Sequence, residues 1–171
     1  MDFAPDYSKN LKAFYFSHLK AKFIAIFDND AEGYASQCTL LNEIKHWPDN
    51  FRILLYPELK QLKSYPTVIP NGSIMNDNIN KKAASIELYL PDRIIKRDSN
   101  YLPIEWESRK KIRGLDGEDI LLYQGVITQK DFIKKEFHDY RCRIEGGKEA
   151  FVPKEWEKMD KLVKSIVFAF S

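Results

Sequence analysis

Five consecutive apolar residues, Phe23-Ile24-Ala25-Ile26-Phe27, run directly into Asp28-Asn29-Asp30. An apolar run this short fits a strand covered on both faces, as in a parallel sheet. In an open α/β sheet, ligands bind beyond the carboxyl ends of the strands. Asp28 and Asp30 alternate along the chain, so both side chains point to one side while the backbone stays extended. Two adjacent carboxylates repel unless a cation joins them. Mg²⁺ meets that demand, because it takes oxygen ligands and often binds through one or two carboxylates plus water and phosphate. Asp is also a favoured helix N-cap, so Asp30 has a second role open to it, at the head of a helix starting at Ala31. Glu32 begins that helix and is placed to support the site through water.

The flanking segments extend the pattern. Ser8 to Lys20 reads as a helix, with Leu11, Phe14, Phe16, His18 and Leu19 near one stripe. Ala31 to Lys45 reads as another, with Tyr34, Cys38, Leu41 and Ile44 or Lys45 on one side. Phe51 to Tyr56 is a second strand, closed by Pro57. The order helix, strand, helix, strand indicates an open α/β sheet.

Beyond it the texture changes. Tyr65 to Asn80, with its prolines, Gly72 and several Asn, is expected to be a long surface loop. Ala83 to Leu90 reads as a short helix ended by Pro91, with a strand over Ile86 to Leu90 as the alternative. Arg93 to Lys96 and Leu102 to Trp106 are expected to form a hairpin around Asp98-Ser99-Asn100. Ile120 to Tyr123 is a candidate third strand, and Gln129 to Tyr140 is helical. Pro153 to Phe170 is a final amphipathic helix that docks on the sheet or serves a partner helix. No internal repeat is visible.

Composition narrows the class. The 171 residues are 44% hydrophobic and 30% charged, with a formal charge of +2, as in an ordinary globular protein. A near-neutral chain neither requires nor excludes a nucleic-acid partner, so any basic surface must be local. Its strongest instance is Arg109-Lys110-Lys111-Ile112-Arg113, a candidate contact for a phosphate backbone; a solvated loop is the default for such a run. Tyr101 and Trp106 lie close by in sequence. No apolar run approaches the roughly 20 residues that span a bilayer, and the first residues lack the pattern of a signal peptide. A cytoplasmic protein with no membrane association is expected. Cys38 and Cys142 are read as free thiols. Neither Cys is read as having a second Cys or a His at ligand spacing, and His18, His46 and His138 are read as unpaired. No phosphate-binding glycine loop and no nucleophile elbow is present.

The segment Phe27-Asp28-Asn29-Asp30-Ala31-Glu32-Gly33 resembles the aspartate motif of Toprim domains, found in primases, topoisomerases and several nucleases. The likeness continues through Arg52-Ile53-Leu54-Leu55-Tyr56-Pro57, Tyr65-Pro66-Thr67, Ala84-Ser85-Ile86-Glu87-Leu88-Tyr89-Leu90, Pro103-Ile104-Glu105-Trp106 and Tyr123-Gln124-Gly125 with Lys130. Together, in order, these blocks resemble the C-terminal part of bacterial proteins that join a HEPN domain to a Toprim domain. The resemblance implies a partial Toprim-like, open, mostly parallel α/β sheet flanked by helices over 1–90. A C-terminal α+β extension over 91–171 would follow. It also implies Mg²⁺, with Mn²⁺ as an alternative, at Asp28 and Asp30, and phosphodiester chemistry on DNA or RNA, in defence against phage or plasmids.

Two more residues become candidates. Glu87 is a potential third ligand or acid/base group, read as near burial because Ile86 and Leu88 flank it. Lys130 is placed to stabilise charge on a transferring phosphate, or else is a surface lysine at a helix start. A full Toprim site also has a Glu after its first strand. Glu32 is the first Glu here, so that strand and its acid are expected to be missing. Two functions follow: a Mg²⁺-dependent nuclease or phosphotransferase, or an inactive Toprim-derived subunit that completes a partner chain or assembles as a homo-oligomer.

Overall fold

The computed structural model describes residues 7–17 and 19–171, with the side chains of 7–10 and of Lys110 outside that description. His18 lies outside the described residues. The expected helix, strand, helix, strand order is present: α1 (Tyr7–Phe16), β1 (Phe23–Phe27), α2 (Ala31–Glu43) and β3 (Phe51–Leu55), with a two-residue β2 (Asn29–Asp30) inserted before α2. β1 and β3 pair in parallel, Phe23 opposite Phe51 through Phe27 opposite Leu55. This parallel unit has only these two strands among the described residues. Its amino end is closed by aromatic rings: Phe14 stacks on Phe23 at 5.2 Å, Phe23 on Phe51 at 4.8 Å, and Tyr15 meets Trp47 edge-on at 5.3 Å.

Full coverage of β1 is not observed. All five of its residues are partly exposed, because a two-stranded sheet offers too little surface to be enclosed on both faces. α1, which ends at Phe16 rather than reaching Lys20, likewise leaves Phe14 and Phe16 exposed, and Leu19 beyond it is exposed too.

A second, larger sheet has the order β10-β9-β4-β5, built from β4 (Tyr65–Val68), β5 (Ile74–Asp77), β9 (Ile104–Arg113) and β10 (Asp119–Ile127). Its ladders are antiparallel except for one parallel pairing, Thr67 with Ile104. The molecule is therefore mixed α/β with open sheets, and among the described residues its parallel pairing is β1–β3, the Thr67–Ile104 pair and an isolated Asp30–Lys82 bridge. The expected loop over Tyr65 to Asn80 is the β4–β5 hairpin. Tyr65 and Thr67 are buried on one side of β4, so alternation overrides the Pro and Gly, which serve the turn between the strands. The basic run, expected as a loop, lies in β9, where Ile112 is buried and pairs with Ile120.

Other expectations shift in extent. Ala83 to Leu90 is neither one helix nor one strand: β6 (Ala83–Ala84) pairs with β2, and a 3-10 turn covers Ile86–Tyr89. The expected hairpin shrinks to β7 (Lys96–Arg97) and β8 (Asn100–Tyr101), with Asp98 and Ser99 at φ 50° and 66° in the turn. α3 spans Lys130–Glu145, and a 3-10 turn at Pro153–Trp156 leads into α4 (Glu157–Val167). Leu162 of α4 is buried, while Val163, Ile166, Val167 and Phe168 remain exposed. The tail after α4 docks on β3: Arg52 donates from Nε to the Ala169 carbonyl at 2.7 Å and lies over the Phe170 ring.

One hydrophobic core joins Leu59, Leu62 and Ile79 to Tyr89, Ile94, Ile104, Ile133 and Leu162. It draws on residues either side of position 90. Ile26 and Tyr56 of the parallel unit pack against its margin.

Candidate functional site

After Phe27 the chain leaves the parallel sheet. Asn29 pairs with Ala84 and Asp30 with Ala83, so β2 belongs with β6. The switch is locked by Asn29, which is fully buried. The Lys81 amide donates both to the Asn29 carbonyl at 2.9 Å and to its Oδ1 at 3.0 Å. Asn29 Nδ2 donates to Asn80 Oδ1 at 3.4 Å. Asn80 in turn holds the backbone of Leu59, accepting from its amide at 3.2 Å and donating to its carbonyl at 3.3 Å. Buried amides satisfied this way specify one arrangement, since leaving any of them unpaired is costly.

Asp28 stands at that switch point, half-buried. Its carboxyl is held above the ordinary range, first by burial and then by the negative charge of Asp30. Glu87 adds to the rise, whereas a hydrogen bond from Tyr56 and the charge of Lys130 oppose it. The same neighbourhood raises the Tyr56 hydroxyl to about 12, through burial and then the Asp28 charge. Asp30, Glu87 and Lys130, all singled out in the sequence, thus come within electrostatic reach of Asp28, although the four residues lie on three separate segments.

Asp30 fills the capping role as well. Its Oδ1 accepts from the Gly33 amide at 2.7 Å, at the head of α2. Its Oδ2 accepts from Gln124 Nε2 at 3.1 Å. Gln124 then uses Oε1 to accept from the Glu32 amide at 3.1 Å, so one side chain from β10 clamps both the carboxylate and the helix start. Gly33 lets α2 sit this close: a Cβ there would fall 2.0 Å from the Asp28 carbonyl oxygen. Gly125 sits at a bulge in the β9–β10 ladder. A Cβ on Gly125 would meet Ile104 at 2.6 Å and Trp106 at 2.9 Å.

Glu87 occupies the 3-10 turn before Pro91. Leu88 is buried as expected, but Ile86 is 38% exposed, because a tight three-residue turn places successive side chains on different sides. Lys130 is the first residue of α3 and follows Gln129, whose φ is 55°. Among the described residues, no three His, Cys, Asp or Glu side chains form a group that could hold a metal ion. A cation at this site would have Asp28 and Asp30 as its protein donors, each with oxygen lone pairs to spare beyond the hydrogen bonds above.

The basic residues lie on the neighbouring ribbon. Arg109 sits over the Tyr123 ring at 5.2 Å. Lys111 and Arg113 both reach Asp119, at 2.7 and 3.5 Å. Lys110 pairs through its backbone with Leu122. One expectation about thiols fails: His138 and Cys142 are one helical turn apart on α3, with Nε2 and Sγ 3.5 Å from each other. That i, i+4 spacing was legible and was passed over. Cys38 is buried, and both thiols are free.

Sequence reasoning missed Tyr56, Asn29 and Gln124 as parts of the site. All three carried one available signal, since each stands inside a segment that carries the resemblance. No protein-family description, curated protein or solved structure matches the chain.

Proposed function

We propose that the chain carries a Toprim-type site for Mg²⁺-dependent phosphodiester chemistry, as a nuclease or phosphotransferase acting on DNA or RNA, with a role in defence against phage or plasmids. The observation that carries this reading is the shortage of positive charge around Asp28: a half-buried carboxylate faces Asp30 and Glu87, with Lys130 as the cation that acts on it. A carboxyl shifted by burial and by a like charge, at the carboxyl end of a strand, is a candidate for chemistry. Asp28 and Asp30 would hold Mg²⁺, or Mn²⁺ in its place, and the ion would supply charge stabilisation at a phosphate and a more acidic bound water.

This chain's own residues do the rest. Tyr56 donates to Asp28 and fixes the direction of its carboxylate. Gln124 and the Gly33 amide fix Asp30. Glu87 is the proton acceptor for an attacking hydroxyl, and Lys130 faces charge that builds on the phosphate oxygens. The direct test is calorimetric titration of Mg²⁺ into the wild type and into the Asp28→Asn, Asp30→Asn double variant. Saturable heat from the first and none from the second is expected; equal, negligible heats would end the metal reading.

A second reading keeps the fold and drops the chemistry: an inactive Toprim-derived subunit that completes a partner chain. β1 pairs only with β3 among the described residues, and an edge without a strand beside it invites another chain. Light scattering on the purified protein separates the two. A monomer that cleaves nucleic acid alone excludes the second reading, and an inactive dimer or hetero-complex supports it.

A further inference from the structure

The β9–β10 ribbon offers a surface that the acidic site does not use. Three register pairs, Arg109 with Tyr123, Lys111 with Leu121 and Arg113 with Asp119, follow one another at every second residue. Side chains at that spacing share one face of a two-stranded ribbon. The alternate positions turn the other way, since Ile112 is buried while Tyr123 is 40% and Leu121 55% exposed. These three register pairs therefore carry three cations against one carboxylate, and the exposed Glu105 and Glu107 lie further along β9.

Its aromatic part is already arranged for stacking. The Arg109 guanidinium lies over the Tyr123 ring at 5.2 Å, and Trp106 meets Tyr123 edge-on at 6.1 Å. A guanidinium stacked on an exposed ring costs desolvation and side-chain order, and nothing in the core requires it. A planar base extends such a stack, and phosphates at the adjacent spacing meet Lys111 and Arg113. Gln124, next in the chain after Tyr123, turns to the opposite face of the ribbon, where its amide binds Asp30 at 3.1 Å. Asp116 and Glu118 make the turn between the strands acidic, which disfavours a polyanion there.

We infer that the outward face of β9–β10 is a binding platform for a single-stranded polynucleotide, which stacks a base on the Tyr123–Arg109 pair and sets its phosphates along Lys111 and Arg113. A duplex fits less well, because its base faces are hidden and Tyr123 has nothing to stack on. The inference rests on the proposed function for its meaning as a substrate path, but its test does not need the metal.

Asp119 supplies the decisive variant. It ties up Lys111 and Arg113, so Asp119→Asn frees both cations while the ribbon's backbone pairing is kept. Fluorescence anisotropy would follow labelled single strands of deoxythymidine and of uridine, twenty nucleotides long, in EDTA. Either strand binding the wild type at low salt is expected. Tyr123→Ala should weaken that binding by about tenfold, the loss of one base stack. Asp119→Asn should tighten it about threefold or more and steepen its salt dependence. Circular dichroism on each variant checks that the fold is retained. Failure of both strands to bind, equal affinity for a blunt duplex of the same length, equal competition by poly-glutamate, or indifference to Tyr123→Ala overturns the platform. Strand binding is read in EDTA and Mg²⁺ heat is read without nucleic acid, so loss of one and loss of the other report on separate claims.

Discussion

Two carboxylates in this protein, Asp92 and Asp28, are partly buried and have opposite fates. Asp92 lies where the loop after the 3-10 turn meets α4. Burial alone would raise its carboxyl, yet hydrogen bonds from Lys158 and Tyr101 outweigh it and hold it below the ordinary range. Lys158 Nζ is 2.9 Å from Asp92 Oδ1, with its side chain only 7% exposed. Burial raises Asp28 as well, but its largest charged neighbour is another carboxylate. The first is a charge answered within the fold. The second is a charge the fold answers only in part, through the Tyr56 hydrogen bond and the charge of Lys130.

The strongest way to break this contrast is to remove the partner that answers. Asp92→Ala leaves the Lys158 ammonium buried without its carboxylate. It should cost about 3 kcal/mol of stability, less than for a fully enclosed pair because Asp92 is half exposed. Urea denaturation with an unchanged slope would measure it. A loss near zero would mean that Lys158 escapes to solvent and the two clusters differ less than argued.

Next in size is Gly33→Ala. Its Cβ would collide with the Asp28 carbonyl, so α2 must retreat from β1, at a cost of about 2 kcal/mol. Mg²⁺ heat should fall with it. An unperturbed melting temperature would show that the α2 start is not held as tightly as the geometry indicates.

Acid titration sharpens the comparison through sign. A folded-state carboxyl below its unfolded value stabilises the protein at higher pH, and that stability is lost as pH falls through the folded value. Asp92 behaves so. Asp28, held above its unfolded value, imposes a cost at neutral pH that is relieved as pH falls through the raised value toward 3.8. In metal-free buffer, Asp28→Asn should therefore be neutral or stabilising by about 1 kcal/mol near pH 7, with the gain vanishing in acid. Asp92→Asn should lose stability near pH 7, and that deficit should shrink in acid. Parallel pH profiles for the two variants would refute the distinction.

The smallest effect belongs to Gln124→Ala. Two hydrogen bonds around the α2 start disappear, for a loss of about 1 kcal/mol. The same change should weaken Mg²⁺ binding, since Asp30 becomes free to turn. A change in stability without any change in Mg²⁺ heat would reduce Gln124 to a structural clamp.

How much was legible is clearest at particular residues. The strand Phe23–Phe27, the capped helix at Ala31 and the strand from Phe51 follow local rules of periodicity and capping, and all three stand where the sequence placed them. The β4–β5 hairpin was not legible, because Pro66, Pro70 and Gly72 give the same local signal in a loop as in a strand with a tight turn. The length of β9 was hidden for a related reason: Arg109 to Arg113 reads as solvated until Ile112 and the facing β10 are known. Glu87 and Lys130 were named from blocks of resemblance, and no spacing rule could tell that both act on Asp28.

What the sequence determined by itself is local: where the chain extends, where it coils, and that two acids follow an apolar strand. What tertiary structure decided is which charges face one another. It took Asn29 and Asn80 to turn β2 away from its own sheet, and Gln124, far along the chain, to reach back to Asp30. Periodicity acts over a few residues, whereas electrostatic neighbours are set by the packing of segments distant in sequence, and only the folded core fixes those.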